Sequence, residues 1–225
     1  MVVSYLNRFA RLIAGLFLYA VGIYLSVQAS IGLAPWDAFS MGISLVTGIS
    51  FGNVVVITGI LIIGIDFFLR EKIGFGTLLN AVLIGKFLDL IAWLDWIPQM
   101  KGFISGILLM ILGQVVISLA SYLYIGAAMG CGPRDALMVA LMRRFPKVPV
   151  GLVRGILEGS VLLIGWLLGA KVGMGTVLAV FGIGFILQWT FHLLHFDVKS
   201  IQHENFADTI KAWKPAKIEV NSSPD

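Results

Sequence analysis

The chain has 225 residues, of which 59% are hydrophobic and only 12% charged, and its mean hydropathy is +0.97. Soluble domains carry about 25% charged residues, so the composition excludes a water-soluble globular fold and defines an integral membrane protein. The formal charge of +4 does not indicate a nucleic-acid binder, because the basic residues lie between apolar segments or in the tail and read as topology determinants.

Arg8 and Arg11 precede the first apolar run, which extends from Leu12 to about Ala29. Val27-Gln28-Ala29 has a weak cleavage-site pattern, but several apolar segments follow, so an uncleaved first span is expected. Six segments are long enough to cross a hydrocarbon core of about 30 Å. They cover residues 11–29, 52–70, 75–94, 102–125, 150–169 and 175–195. A shorter, more polar helix is predicted from Pro35 to about Gly48, and another from Pro133 to Arg144. Proline suits the first turn of each, where its missing N–H would be unpaired anyway, and the preceding glycines permit a sharp entry.

The chain repeats itself. Ile31-Gly32-Leu33-Ala34-Pro35-Trp36-Asp37-Ala38 returns 98 positions later as Met129-Gly130-Cys131-Gly132-Pro133-Arg134-Asp135-Ala136. Lys72-Ile73-Gly74-Phe75-Gly76-Thr77 returns 99 positions later as Lys171-Val172-Gly173-Met174-Gly175-Thr176. Two echoes in one order imply an internal duplication, with one copy over about 8–96 and the other over about 102–195. Both belong to a single membrane domain over residues 1–200. The expected fold is all-α: a polytopic bundle of six long transmembrane helices plus two short helices, either re-entrant or spanning. With a cytoplasmic N-terminus and re-entrant short helices, Arg8, Arg11, Arg70, Lys72, Arg143, Arg144 and Lys147 fall inside, while Lys101 and Lys171 fall outside. The positive-inside rule favours that arrangement, whose three crossings per half make the repeats inverted. Four crossings per half would make them parallel. In the tail, 201–225, a cytoplasmic location is expected. Ile201, Phe206, Ile210 and Trp213 could share one helical face at the membrane surface, or the segment is plainly solvated.

The arginine-led first helix, the Gly-x-x-Pro-Trp-Asp motif (Gly32, Pro35, Trp36, Asp37) and the later Lys-x-Gly-x-Gly-Thr resemble the YczE/YitT-like integral membrane proteins of bacteria. The YczE-like branch is nearer. Residues 8 to 195 carry the resemblance, which implies a multi-pass protein of the bacterial inner membrane and supplies no substrate. The second copy departs from the first in having Arg134 where Trp36 stands.

Asp37 and Asp135 are the leading candidates for a solute or ion path, because broken helix ends near mid-membrane offer unpaired backbone donors. The plainer reading makes each an aid to its own helix's first turn. Arg134 either reaches Asp37 across the interface or snorkels to the surface. Lys86 and Glu158 are charges inside long spans and join the candidates; Asp89 and Arg154 stand at spacings that allow local pairing with them. Gly32, Pro35, Gly130, Gly132 and Pro133 are the structural breaks. Gln114 is expected to hydrogen-bond across helices, and Gly102/Gly106 and Gly155/Gly159 read as close-packing faces. Trp93, Trp96, Trp189, Tyr122 and Tyr124 read as interface anchors. The lone Cys131 excludes an intrachain disulfide and a cysteine-cluster metal site.

The expected function is a small secondary transporter of unknown solute, alternating access around the paired Gly-Pro-Asp breaks. The competing expectation is a membrane adaptor that stabilises, localises or senses. No catalytic constellation, metal site, cofactor motif or nucleotide-binding motif is expected. The lipid bilayer is the certain partner, and the small size makes a homodimer attractive.

Overall fold

The computed structural model describes residues 2–198 and 201, with side chains from Tyr5 onward. The tail face expected from Phe206, Ile210 and Trp213 lies outside the described residues. Eight helices are present among them. They are α1 (Val2–Gln28), α2 (Pro35–Thr47), α3 (Phe51–Phe68), α4 (Phe75–Leu94), α5 (Phe103–Gly126), α6 (Pro133–Arg144), α7 (Val150–Leu167) and α8 (Met174–Leu193). A π turn at Leu178–Gly182 interrupts α8.

Local chemistry sets these boundaries. Proline occupies the first turn of α2 and of α6, and a left-handed Gly48 closes α2 by donating to Ser44 O. Ser50 caps α3 by accepting from Asn53 N. The Gly-x-Gly-Thr pairs open α4 and α8, with Thr77 and Thr176 accepting from the amides of Gly74 and Gly173 at 3.2 Å.

Six helices are long and apolar enough to cross a membrane; α2 and α6 are not among them. At 13 and 12 residues they reach only about 19 Å, against a core of about 30 Å. Their ends show where they go. α1 lies antiparallel along α5. Its Arg8 donates to Ala127 O and Ala128 O, and Arg11 donates to Tyr122 O. The arginines read as topology determinants therefore also satisfy the orphan carbonyls at the end of α5. The α3–α4 connection shares this arginine end, since Gly76 N donates to Met129 O at 2.7 Å. At the opposite end Gln28 donates to Ile97 O and accepts from Met100 N.

α2 departs from that opposite end and returns to it, because Ser50, just beyond α2, donates to Asp89 in the last turns of α4. The chain leading into α6 leaves the arginine end at Met129, and the last turn of α6 lies there again, where Arg143 pairs with Glu71 at 3.0 Å. The N-termini of the two short helices meet, with Arg134 of α6 lying 3.8 Å from Asp37 of α2. Leu12, Leu16, Ile84, Leu88 and Tyr124 lie in the main core between α1, α4 and α5. Trp93, Trp96 and Trp189 point outward as anchors should, and Tyr122 stacks beneath Arg11 at 4.7 Å. Tyr124 does not follow the expectation: it is buried in the core, because its position on α5 faces α1 rather than lipid.

Candidate functional site

The two Gly-Pro-Asp breaks and the two Gly-x-Gly-Thr turns interlock crosswise. Ile31 O accepts from Gly175 N at 2.9 Å, and Leu33 N donates to Lys171 O at 3.1 Å. At the other end Met129 O accepts from Gly76 N, and Cys131 O accepts from the Thr77 hydroxyl at 2.7 Å. Gly32 and Gly130 have φ of +125° and +126°. A Cβ at Gly32 would stand 2.6 Å from Gly173 N, and one at Gly130 would stand 2.8 Å from the Thr77 hydroxyl. Both the backbone angle and the close approach require glycine there.

This interlock holds the N-termini of α2 and α6 facing each other. Arg134 lies 3.8 Å from Asp37, and its guanidinium stacks over Trp36 at 5.1 Å. Asp37 is buried, with a side-chain exposure of 7% against 31% for Arg134. The N-cap positions are Ala34 and Gly132, which supply no side-chain cap bond, and Asp37 and Asp135 stand in the first turns, where a negative charge is favoured. Of the two readings offered for Arg134, the structure has the reach to Asp37.

Beside this pair is a cavity of about 400 Å³, lined by Asp37, Arg134, Asp135, Arg154 and Glu158 among others. It runs from Ala34 and Met110 to Met142 and Val150, the last two near the arginine end. A neighbouring cavity of about 330 Å³ shares Tyr19, Arg134, Asp135 and Arg154. Arg154 and Glu158 pair at 2.8 Å. Asp135 is exposed to the cavity and, among the described residues, takes part in no hydrogen bond or close ion pair.

Four of the five charged candidates therefore converge: Asp37, Arg134, Asp135 and Glu158. Lys86 stands apart, on an exposed face of α4, where it donates to Asn53 at 2.8 Å. Its expected partner Asp89 instead accepts from Ser50 and from Gly52 N, tying the start of α3. The sequence reading missed Tyr19, an aromatic in an apolar run with nothing to mark it. It also gave Gln114 a cross-helix bond, whereas its side-chain oxygen is buried without a partner among the described residues and lines the larger cavity. Asp66, late in α3, is fully buried, and its carboxylate has no hydrogen-bond partner among the described residues.

The sides of the cavity differ. Gly52 and Gly85 bring the α3 and α4 backbones together, each leaving no room for a Cβ on the other. Gly42 and Gly165 likewise bring α2 and α7 together: a Cβ at Gly42 would meet Gly165 O, and one at Gly165 would meet the Ala38–Phe39 backbone. α7 does not pack along α8, and Gly151, Gly155, Gly159 and Gly184 meet nothing within 4 Å. Of the close-packing faces expected, Gly106 packs on Ala29 and Ile31, while Gly155 and Gly159 are open.

Six membrane-length helices around a charged mid-bundle cavity define a multi-pass membrane protein. A family of unknown function (DUF6198) matches residues 6–192, and the chain belongs to it. The resemblance to YczE-like proteins holds. The chain is 33% identical to the uncharacterized membrane protein YczE of Bacillus subtilis over 202 residues, covering 89% of this chain and 90% of that one. An uncharacterized protein of Haemophilus influenzae is 32% identical over 81% of this chain and 83% of its own. The uncharacterized protein YyaS of Bacillus subtilis is 27% identical over 77% and 87%. No solved structure matches the chain.

Proposed function

We propose that the protein is a small secondary transporter of the bacterial inner membrane, built from two inverted repeats, with its arginine end cytoplasmic. The observation that carries this reading is the difference between two seams. Gly151 and Gly184 stand 99 positions after Gly52 and Gly85. The earlier pair closes α3 on α4, and the later pair is open beside the cavity. Two copies of one unit in unlike conformations is the arrangement that inverted-repeat transporters use to expose a site to one side at a time. The crosswise docking of breaks and turns, at opposite bundle ends, supports the inverted relation.

The resting state follows from polar groups found on one seam alone. Asp89 and Lys86 latch the first turn of α3, whereas Gln188 and Phe185 stand 99 positions after them and no hydrogen bond joins α7 to α8 among the described residues. A latched α3–α4 seam and an unlatched α7–α8 seam bias the chain toward the open cavity. In the other state, Gly151 approaches Gly184 and the cavity closes.

Cysteines placed at Gly151 and Gly184 in a Cys131→Ala background test this. Both sites have space for a side chain, so the variant is expected to fold. Oxidation is expected to join the pair, which here make no contact, and to abolish solute passage until reduced. A pair that never joins would mark a static seam and favour the membrane-adaptor reading.

A further inference from the structure

The charges around the larger cavity do not balance. Arg134 is occupied by Asp37 at 3.8 Å and by the Trp36 ring. Arg154 is occupied by Glu158 at 2.8 Å. Asp135 remains, exposed to the cavity and without a hydrogen bond among the described residues. An uncompensated carboxylate deep in a membrane protein calls for a cation or a proton, since leaving it bare costs several kcal/mol.

The uncharged groups point the same way. The Gln114 side-chain oxygen lines this cavity, buried and without a partner among the described residues. The Tyr124 hydroxyl, lining the adjoining cavity, is likewise buried and unpaired among the described residues. Each can accept a hydrogen bond, while the charged donors already face carboxylates. The volume of about 400 Å³ lies in the range of small-molecule sites, about 300–1,000 Å³, and is larger than a bare metal ion needs. Met110, Met138 and Met142 add a soft apolar wall, of the kind that adapts to different carbon skeletons.

We propose that the cavity binds a small organic monocation, an alkyl- or arylalkylammonium, whose nitrogen pairs with Asp135 and whose carbon skeleton lies against the methionine wall. The ammonium brings one positive charge and up to three donors to a site with one surplus negative charge and spare acceptors. An organic anion would meet Asp135 uncompensated and both arginines already paired. The proposal rests on the transport reading for its purpose and on the cavity alone for its chemistry.

The test uses the purified full chain in detergent with two probes of matched shape, phenethylammonium and phenylacetate. Phenethylammonium is expected to raise the unfolding midpoint in a saturable way, and phenylacetate to leave it unchanged. Asp135→Asn should weaken phenethylammonium binding about tenfold to a hundredfold, as expected for loss of one charged hydrogen bond. Lys101→Gln, exposed and outside both cavities and the α3–α4 latch, should not change it. Saturable binding of phenylacetate in place of the amine overturns the substrate class and leaves the transport reading standing. Binding of neither probe, or amine binding indifferent to Asp135→Asn, also overturns the proposal. A static seam in the 151–184 cross-linking experiment sinks the transport reading independently of the binding result.

Discussion

Replacing Gly32 or Gly130 by valine is expected to destabilise the fold by about 2 to 6 kcal/mol, combining the backbone penalty of a non-glycine residue with overpacking. The two effects are separable. Gly32 sits at φ +125° with a would-be Cβ 2.6 Å from Gly173 N, and Gly130 sits at φ +126° against Thr77 and Gly74. Gly48 has φ +73° with nothing within 4 Å, so Gly48→Ala should cost only about 1 kcal/mol. Unfolding midpoints in detergent, together with the monodispersity of the purified variants, check the contrast. Equal losses at positions 32 and 48 would contradict the interlock as the structural hub.

Arg134→Ala is expected to cost about 3 kcal/mol, the low end of the range for breaking a buried ion pair. The low end applies because Arg134 is partly open to the cavity. Asp37 would then be left as a buried carboxylate with an unbonded Oδ1. The Trp36 stack is lost as well, a further contribution of about 1 kcal/mol. The double variant Asp37→Asn with Arg134→Ala should recover most of the ion-pair loss and none of the stacking. Unfolding midpoints of the two singles and the double form the cycle. Additive losses would show that the two residues do not interact.

These effects belong to positions that a sequence can reveal in part. The glycines and prolines of the breaks were legible because they recur at fixed spacing and because backbone geometry limits which residues can stand there. Asp37, Asp135 and Glu158 stood out because a charge inside an apolar run is expensive and therefore conspicuous. The partners of these residues were less legible. Arg134 reaching Asp37 depends on two short helices meeting end to end, and nothing local in the chain states that. Lys86 looked like a mid-span charge facing the bundle interior, yet the helix turns it outward to Asn53. Glycine spacing marked faces that could pack closely without showing which do: Gly106 packs on Ala29 and Ile31, and Gly155 and Gly159 stand clear. That distinction is a property of one conformation rather than of the residues.

The central claim is that a charged cavity at mid-bundle is reachable by solute. The direct measurement is the reaction of a cysteine at position 135, in the Cys131→Ala background, with a charged membrane-impermeant thiol reagent. It is applied to intact cells and to inverted vesicles in parallel. The account predicts rapid labelling from the face that carries the arginine end, where Met142 and Val150 line the cavity. It also predicts loss of that labelling once positions 151 and 184 are joined. A cysteine at 135 that reacts from neither face, in a folded protein, would contradict it.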